Sequence, residues 1–155
     1  MKMHRSEKVW LIISFGMIMA FMFLTGYQAF ALDMAPPSGS ERIDSSNVDN
    51  IAPFDNPGVK EIGENEYEVV MTLQLFSFTP SDIEIPAGAT VHFIMTSKDV
   101  VHGFQVAGTN LNAMVVPGYV QKITQKFDNP GEYLVLCNEY CGAGHQLMGT
   151  TITVK

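Results

Sequence analysis

Hydrophobic positions along the chain change pattern twice. From Val9 to Leu32 they are continuous, and "VWLIISFGMIMAFMFLTGYQAFAL" runs 24 residues without a charge. As a helix it would span about 36 Å, against about 30 Å for a bilayer core. This predicts a tilted transmembrane helix over 9–32. From Asp33 to Pro57 the apolar period disappears into "DMAPPSGSERIDSSNVDNIAPFDNP", dominated by Pro, Ser, Asp and Asn. That composition reads as a linker or an extended surface segment, expected over 33–63.

From about Glu64 the texture becomes that of strands. "EYEVVMTLQLFSF" (Glu66 to Phe78) is rich in β-branched and aromatic residues, and "SDIEIPAGATVHFIMTS" gives two short strands around Pro86-Ala87-Gly88. Val91, Phe93 and Met95 alternate with Thr90, His92 and Ile94, a period of two that turns His92 outward. "VHGFQVAGTN" is another strand leading into a loop. In "YVQKITQKF", Val120, Lys122, Thr124 and Lys126 face one way, Ile123 and Phe127 the other. The turn Asp128-Asn129-Pro130-Gly131 leads into "EYLVLC", and "GTTITVK" closes the chain. Seven or so short strands with frequent turns predict an antiparallel sandwich or small barrel over 64–155. No stretch after Leu32 has helical periodicity.

Charge places this domain. The net charge is -7, which argues against nucleic acid as a partner, since phosphates repel an acidic surface. The leader 1–8 holds Lys2, Arg5 and Lys8 against Glu7, so nearly all the acidity follows the apolar run. The positive-inside tendency puts the leader in the cytoplasm and the domain on the outer face of a bacterial or archaeal plasma membrane. Ala29-Phe30-Ala31 also reads as a signal-peptide cleavage site. The run from Val9 to Leu24 is long for a signal, and a retained anchor is the expectation.

The chemistry concentrates in "CNEYCGAGHQLMG", Cys137 to Gly149, which holds both cysteines of the chain together with His145 and Met148. A disulfide, zinc, copper and chance are the alternatives. Disulfides persist outside the cytoplasm, but one closing so small a loop contributes little and leaves His145 and Met148 unexplained. Zinc has little use for a thioether. Thiolate with thioether selects copper, the favoured reading. A site on one loop needs a ligand from another element. His102, beside Gly103 at a strand start, is the candidate; His4 and His92 read as ordinary surface residues.

His102 followed by Cys137-Asn-Glu-Tyr-Cys141-Gly-Ala-Gly-His145-Gln-Leu-Met148 resembles the CuA site of subunit II of the haem–copper oxidases. The single anchor and "HGFQVAGTNLNAMVVPG" resemble the compact B-family branch. The resemblance implies a mainly β, cupredoxin-like Greek-key barrel preceded by one transmembrane helix. It implies a binuclear copper centre bridged by Cys137 and Cys141, with His102 and His145 on one copper each. Met148 and the backbone carbonyl of Glu139 would be weak axial ligands. One thiolate suffices for a mononuclear blue site, so the second thiolate accords with two metals. The implied partners are a haem-bearing subunit I, a cytochrome c or similar donor, and the membrane. Oxygen reduction would occur in subunit I.

Two departures stand out. Glu139 replaces the glutamine of some B-family relatives. In the larger A-family oxidases a glutamate there reaches an interfacial magnesium, although an ordinary solvated carboxylate is the favoured reading here. The only tryptophan is Trp10, inside the anchor, so an aromatic that receives electrons near the site must be another residue. Phe76 and Phe78 are candidates, with a core role favoured for such a pair. A membrane-tethered copper carrier or storage protein is the alternative function.

Overall fold

The computed structural model describes residues 3–31 and 41–155. The start of the leader, Leu32 at the end of the expected span, and 33–40 of the expected linker lie outside the described residues. The first unit carries helix α1 (Arg5–Ala31), long and apolar enough to cross a membrane. It begins four residues before the uncharged run. Its one threonine, Thr25, donates its hydroxyl to the carbonyls of Phe21 and Met22, which satisfies a polar group where lipid offers no partner.

The second unit holds ten strands among the described residues, in two sheets. One sheet has the order β1 (Gly58–Gly63), β2 (Glu66–Gln74), β5 (Ala89–Ser97), β8 (Gln121–Phe127), with β3 (Ser77–Thr79) on β2. The other has the order β4 (Asp82–Ile85), β10 (Gly149–Val154), β9 (Gly131–Leu136), β6 (His102–Val106), β7 (Asn112–Val115). The expected antiparallel arrangement is only partly found, because β2 pairs with β5 and β4 with β10 in parallel. The chain leaves the first sheet after β3, contributes β4 to the second, and returns as β5. A strand that returns through the other sheet can arrive in the same direction as the one it left.

Alternation sets the core as the sequence pattern predicts. Val69, Met71 and Leu73 of β2 and Val91, Phe93 and Met95 of β5 point inward, against Phe104, Val106, Val135 and Ile152 of the facing sheet. The Phe93 ring lies 5.2 Å from Phe104 and 6.4 Å from Phe127, and Phe127 lies 5.1 Å from Tyr133. Each fully buried large apolar side chain contributes roughly 1.5–3 kcal/mol.

The region expected as a linker differs. Residues 58–63 form β1, paired to β2, and the segment before it straps the outer face of the first sheet. Val48 and Phe54 bury against Val70 and Val120, with Ile43 and Ile94 alongside. The Asp44 carboxylate caps the short 3₁₀ turn Ser45–Asn50 by accepting the Ser46 amide. The Val120 amide donates to the Glu41 carbonyl at 2.9 Å and the Ile43 amide to the Gly118 carbonyl at 3.1 Å. Val120 does face outward with Lys122, as its alternation indicates, but the strap covers it. Ile43, Val48, Ile51 and Phe54, scattered among polar residues, carry no period, so composition alone reads as linker. Phe54→Ala should therefore cost about 3 kcal/mol of unfolding free energy, as a buried core phenylalanine does. Urea denaturation of the detergent-solubilised chain checks this, and a loss below about 1 kcal/mol would show the strap to be loosely held.

Candidate metal centre

Strand β9 ends at Leu136, and the chain then leaves the core through Cys137. The loop beyond it passes Glu139 and Cys141, makes a single 3₁₀ turn at His145–Leu147 and re-enters the sheet as β10. The Cys137 amide donates to the Met148 carbonyl at 3.1 Å, closing the loop at its base. Both cysteines and Met148 are buried and belong to the main core cluster, so their sulfurs cap one end of the apolar interior.

The other sequence-predicted ligands, His102, Glu139 and His145, stand beside these sulfurs. The two sulfurs are 3.8 Å apart and both thiols are free. Around Cys137 Sγ stand the Glu139 carbonyl at 3.2 Å and His102 Nδ1 at 3.9 Å. Around Cys141 Sγ stand His145 Nδ1 and Met148 Sδ, both at 3.7 Å. Each sulfur therefore has one imidazole and one weaker donor beside it, and the two sulfurs are adjacent. The ligating atoms of His102, Cys137 and Cys141 all fall within 4.8 Å of one another. This donor chemistry, two thiolates with imidazoles and a thioether, fits copper. Glu139 joins through its backbone, and its half-buried side chain plays no part in the cluster.

His102 comes from β6 and is fully buried. Its Nε2 donates to Asp99 Oδ1 at 2.8 Å, which fixes the tautomer and leaves the Nδ1 lone pair facing the sulfurs. Asp99 also accepts from the Val100 amide at 2.6 Å, the Leu75 amide at 2.6 Å and the Ser97 hydroxyl at 3.3 Å. Burial would raise its carboxyl, but the His102 ring and the two amides outweigh that and hold it below the ordinary range. The Cys141 thiol is pushed up, first by burial and then by the adjacent Cys137 sulfur.

Two close approaches shape the surroundings. The Gly103 amide donates to Cys137 Sγ at 3.4 Å. A Cβ at Gly103 would lie 2.6 Å from the backbone nitrogen of Asn138, so only glycine lets β6 meet the loop. On the other side, a Cβ at Gly144 would lie 2.7 Å from the Phe76 ring. Phe76 sits at positive φ (65°) between β2 and β3, so the strand-rich stretch from Glu66 to Phe78 is divided between two strands. Phe78 is core, as favoured, whereas Phe76 is half exposed above the metal loop. Asp99 escaped the sequence reading. Its only signal was its place three residues before the candidate ligand, where a turn returns a carboxylate to the ring.

Residues 65–155 match the family model for the periplasmic domain of cytochrome c oxidase subunit II. One cytochrome c oxidase subunit 2 of Thermus thermophilus is 41% identical over 153 residues, 96% of this chain and 91% of its own. A second subunit 2 of the same species is 45% identical over 122 residues, 77% of this chain and 90% of its own. A chain of a haem–copper terminal oxidase dimer solved by cryo-EM superposes with a TM-score of 0.80 at 34% identity, over 97% of this chain and 100% of that one. The periplasmic domain of subunit II (CoxB) of Bradyrhizobium japonicum shares the fold, at TM-score 0.53 and 18% identity, over 57% of this chain and 83% of that one.

Removing the carboxylate in Asp99→Ala frees the His102 ring, and copper retention should fall about 10–100-fold in competition with a chelator. Unchanged retention would show that the ring needs no anchor. Metal must displace the thiol protons, and the Cys141 thiol is raised. Copper affinity of the reduced chain should therefore fall with pH, about tenfold per displaced proton per pH unit below the thiol pKa values. A pH-independent affinity would exclude the thiols as ligands.

Proposed function

The chain belongs to the subunit II family of cytochrome c oxidases, and on that premise we propose that its β-domain holds a binuclear copper centre that relays electrons from a small carrier to a haem-bearing catalytic subunit. The supporting observation is the donor cluster: a sulfur pair 3.8 Å apart with one imidazole and one weak donor beside each sulfur. When bound, such a centre supplies one-electron transfer with the charge shared over two metals. Oxygen chemistry belongs to the partner subunit.

The chain's own residues provide what that relay needs. Cys137 and Cys141 would hold the coppers through their thiolates, and their burial keeps water from the sulfurs. His102 and His145 would each give an imidazole nitrogen, and the Glu139 carbonyl and Met148 thioether would be the weaker donors. Asp99 holds His102 in one orientation, so the site is preorganised and little has to move when an electron arrives. Phe76, half exposed against Gly144, is the aromatic that stands between solvent and the loop. Leu75 next to it and Tyr140 and Leu147 of the loop are exposed apolar side chains, and the acidic balance of the domain attracts a basic carrier from a distance. The apolar helix anchors the chain, with its basic leader inside and the domain on the outer face of a plasma membrane.

A copper carrier would need ligands that exchange readily. Here His102, Cys137, Cys141 and Met148 are all buried, which favours a resident centre. The magnesium implied by the resemblance would draw on the Glu139 carboxylate. Metal analysis of the whole complex decides that point, since magnesium unchanged in Glu139→Gln would remove it.

Affinity purification of the full chain from its native membrane should bring a haem-bearing subunit and cytochrome c oxidation. Cys141→Ser should keep the haem partner yet lose at least about 100-fold in turnover, about 2.7 kcal/mol of barrier. Wild-type turnover by that variant would contradict the relay.

A further inference from the structure

One polar contact beside the metal loop serves none of the roles above. Asn138 Nδ2 donates to Asn112 Oδ1 at 3.0 Å. The oxygen of the same Asn138 amide stands over Gly103, where it would lie 1.9 Å from a Cβ. One side chain therefore leans on β6 through its oxygen and is held from β7 through its nitrogen. Asn112 pairs with Gln105, two residues beyond Gly103 on the same outer face of the sheet. Asn138 also follows Cys137 directly in the chain. The backbone that this amide holds down is thus the backbone that carries the Cys137 sulfur to the Gly103 amide.

We propose that Asn138, held by Asn112, is a positioning residue that keeps the Gly103 N–H on the Cys137 sulfur. Gly103 makes the close approach possible, but a glycine leaves a gap and exerts no force of its own. The Asn138 oxygen fills that gap, and Asn112 fixes the amide so that it cannot swing into solvent. A hydrogen bond into a thiolate withdraws charge from sulfur and favours the reduced metal. The pair therefore holds the reduction potential of the centre up. This inference rests on the copper reading above.

The test uses the full chain in detergent, with two measurements on Asn112→Leu, which removes the acceptor at similar size. In the reduced, copper-free chain, the Gly103 amide should exchange with solvent about tenfold faster by NMR, with core amides such as Phe93 and Val135 unchanged. In the copper-loaded chain, the reduction potential should shift downward. Asn112→Asp restores an acceptor, and at about 1 M salt, where its charge is screened, it should return both values towards wild type. The proposal is overturned if Asn112→Leu matches wild type in either measurement, or if Asn112→Asp fails to restore them. Core amides that speed up in parallel would also overturn it, since the pair would then be merely structural. A wild-type chain that takes up one copper or none would sink the binuclear reading instead, and the exchange measurement would still decide the role of Asn138.

Discussion

Everything about the centre depends on how closely one strand end can approach one loop. The Gly103 amide meets the Cys137 sulfur at 3.4 Å, and no side chain larger than hydrogen fits between β6 and the start of the loop. His102 precedes that glycine, so the same approach that seats the sulfur also aims the imidazole at it. From Cys137 the loop returns to close on its own amide through the Met148 carbonyl, which brings Cys141, His145 and Met148 back to one place. A sandwich that left a wider gap at Gly103 would carry the same ligands but scatter them.

The cluster is costly for the fold that holds it. Two thiols, an imidazole and a thioether occupy the end of an apolar core built from Phe93, Phe104 and their neighbours. Burial and the neighbouring sulfur raise the Cys141 thiol, so the metal-free protein favours the protonated form and stays neutral there. A cation in the cluster reverses that preference, because charge on sulfur is then balanced. Asp99 works in the opposite sense. Three donors hold it ionised despite burial, and it ties the Phe76 turn, through the Leu75 amide, to the His102 ring. The half-exposed Phe76 turn and the buried His102 ring are thereby joined through one carboxylate.

Local pattern made much of this legible. The period of two in Thr90 to Met95 places Val91, Phe93 and Met95 inside, and the spacing of Cys137, Cys141, His145 and Met148 reads as one loop around one point. His102 was reachable because a glycine beside a histidine implies a close approach. What stayed hidden was held by contacts between distant segments. The strap at Val48 and Phe54 has too few apolar residues to show a period, yet it covers Val120, Val70 and the outer sheet. The parallel pairing of β2 with β5 depends on the chain visiting the other sheet in between. Phe76 leaves its strand because its backbone turns to positive φ, which no propensity for phenylalanine suggests. Asp99 matters through its hydrogen bonds from His102 and Leu75, which form once the fold exists.

Electron paramagnetic resonance of the copper-loaded full-length chain tests the central claim most directly. A copper nucleus has spin three-halves, so one unpaired electron on one copper gives four hyperfine lines, and the same electron shared equally over two gives seven. Two coppers held by the two thiolates would give seven lines. A four-line spectrum would mean a mononuclear site and would contradict the account.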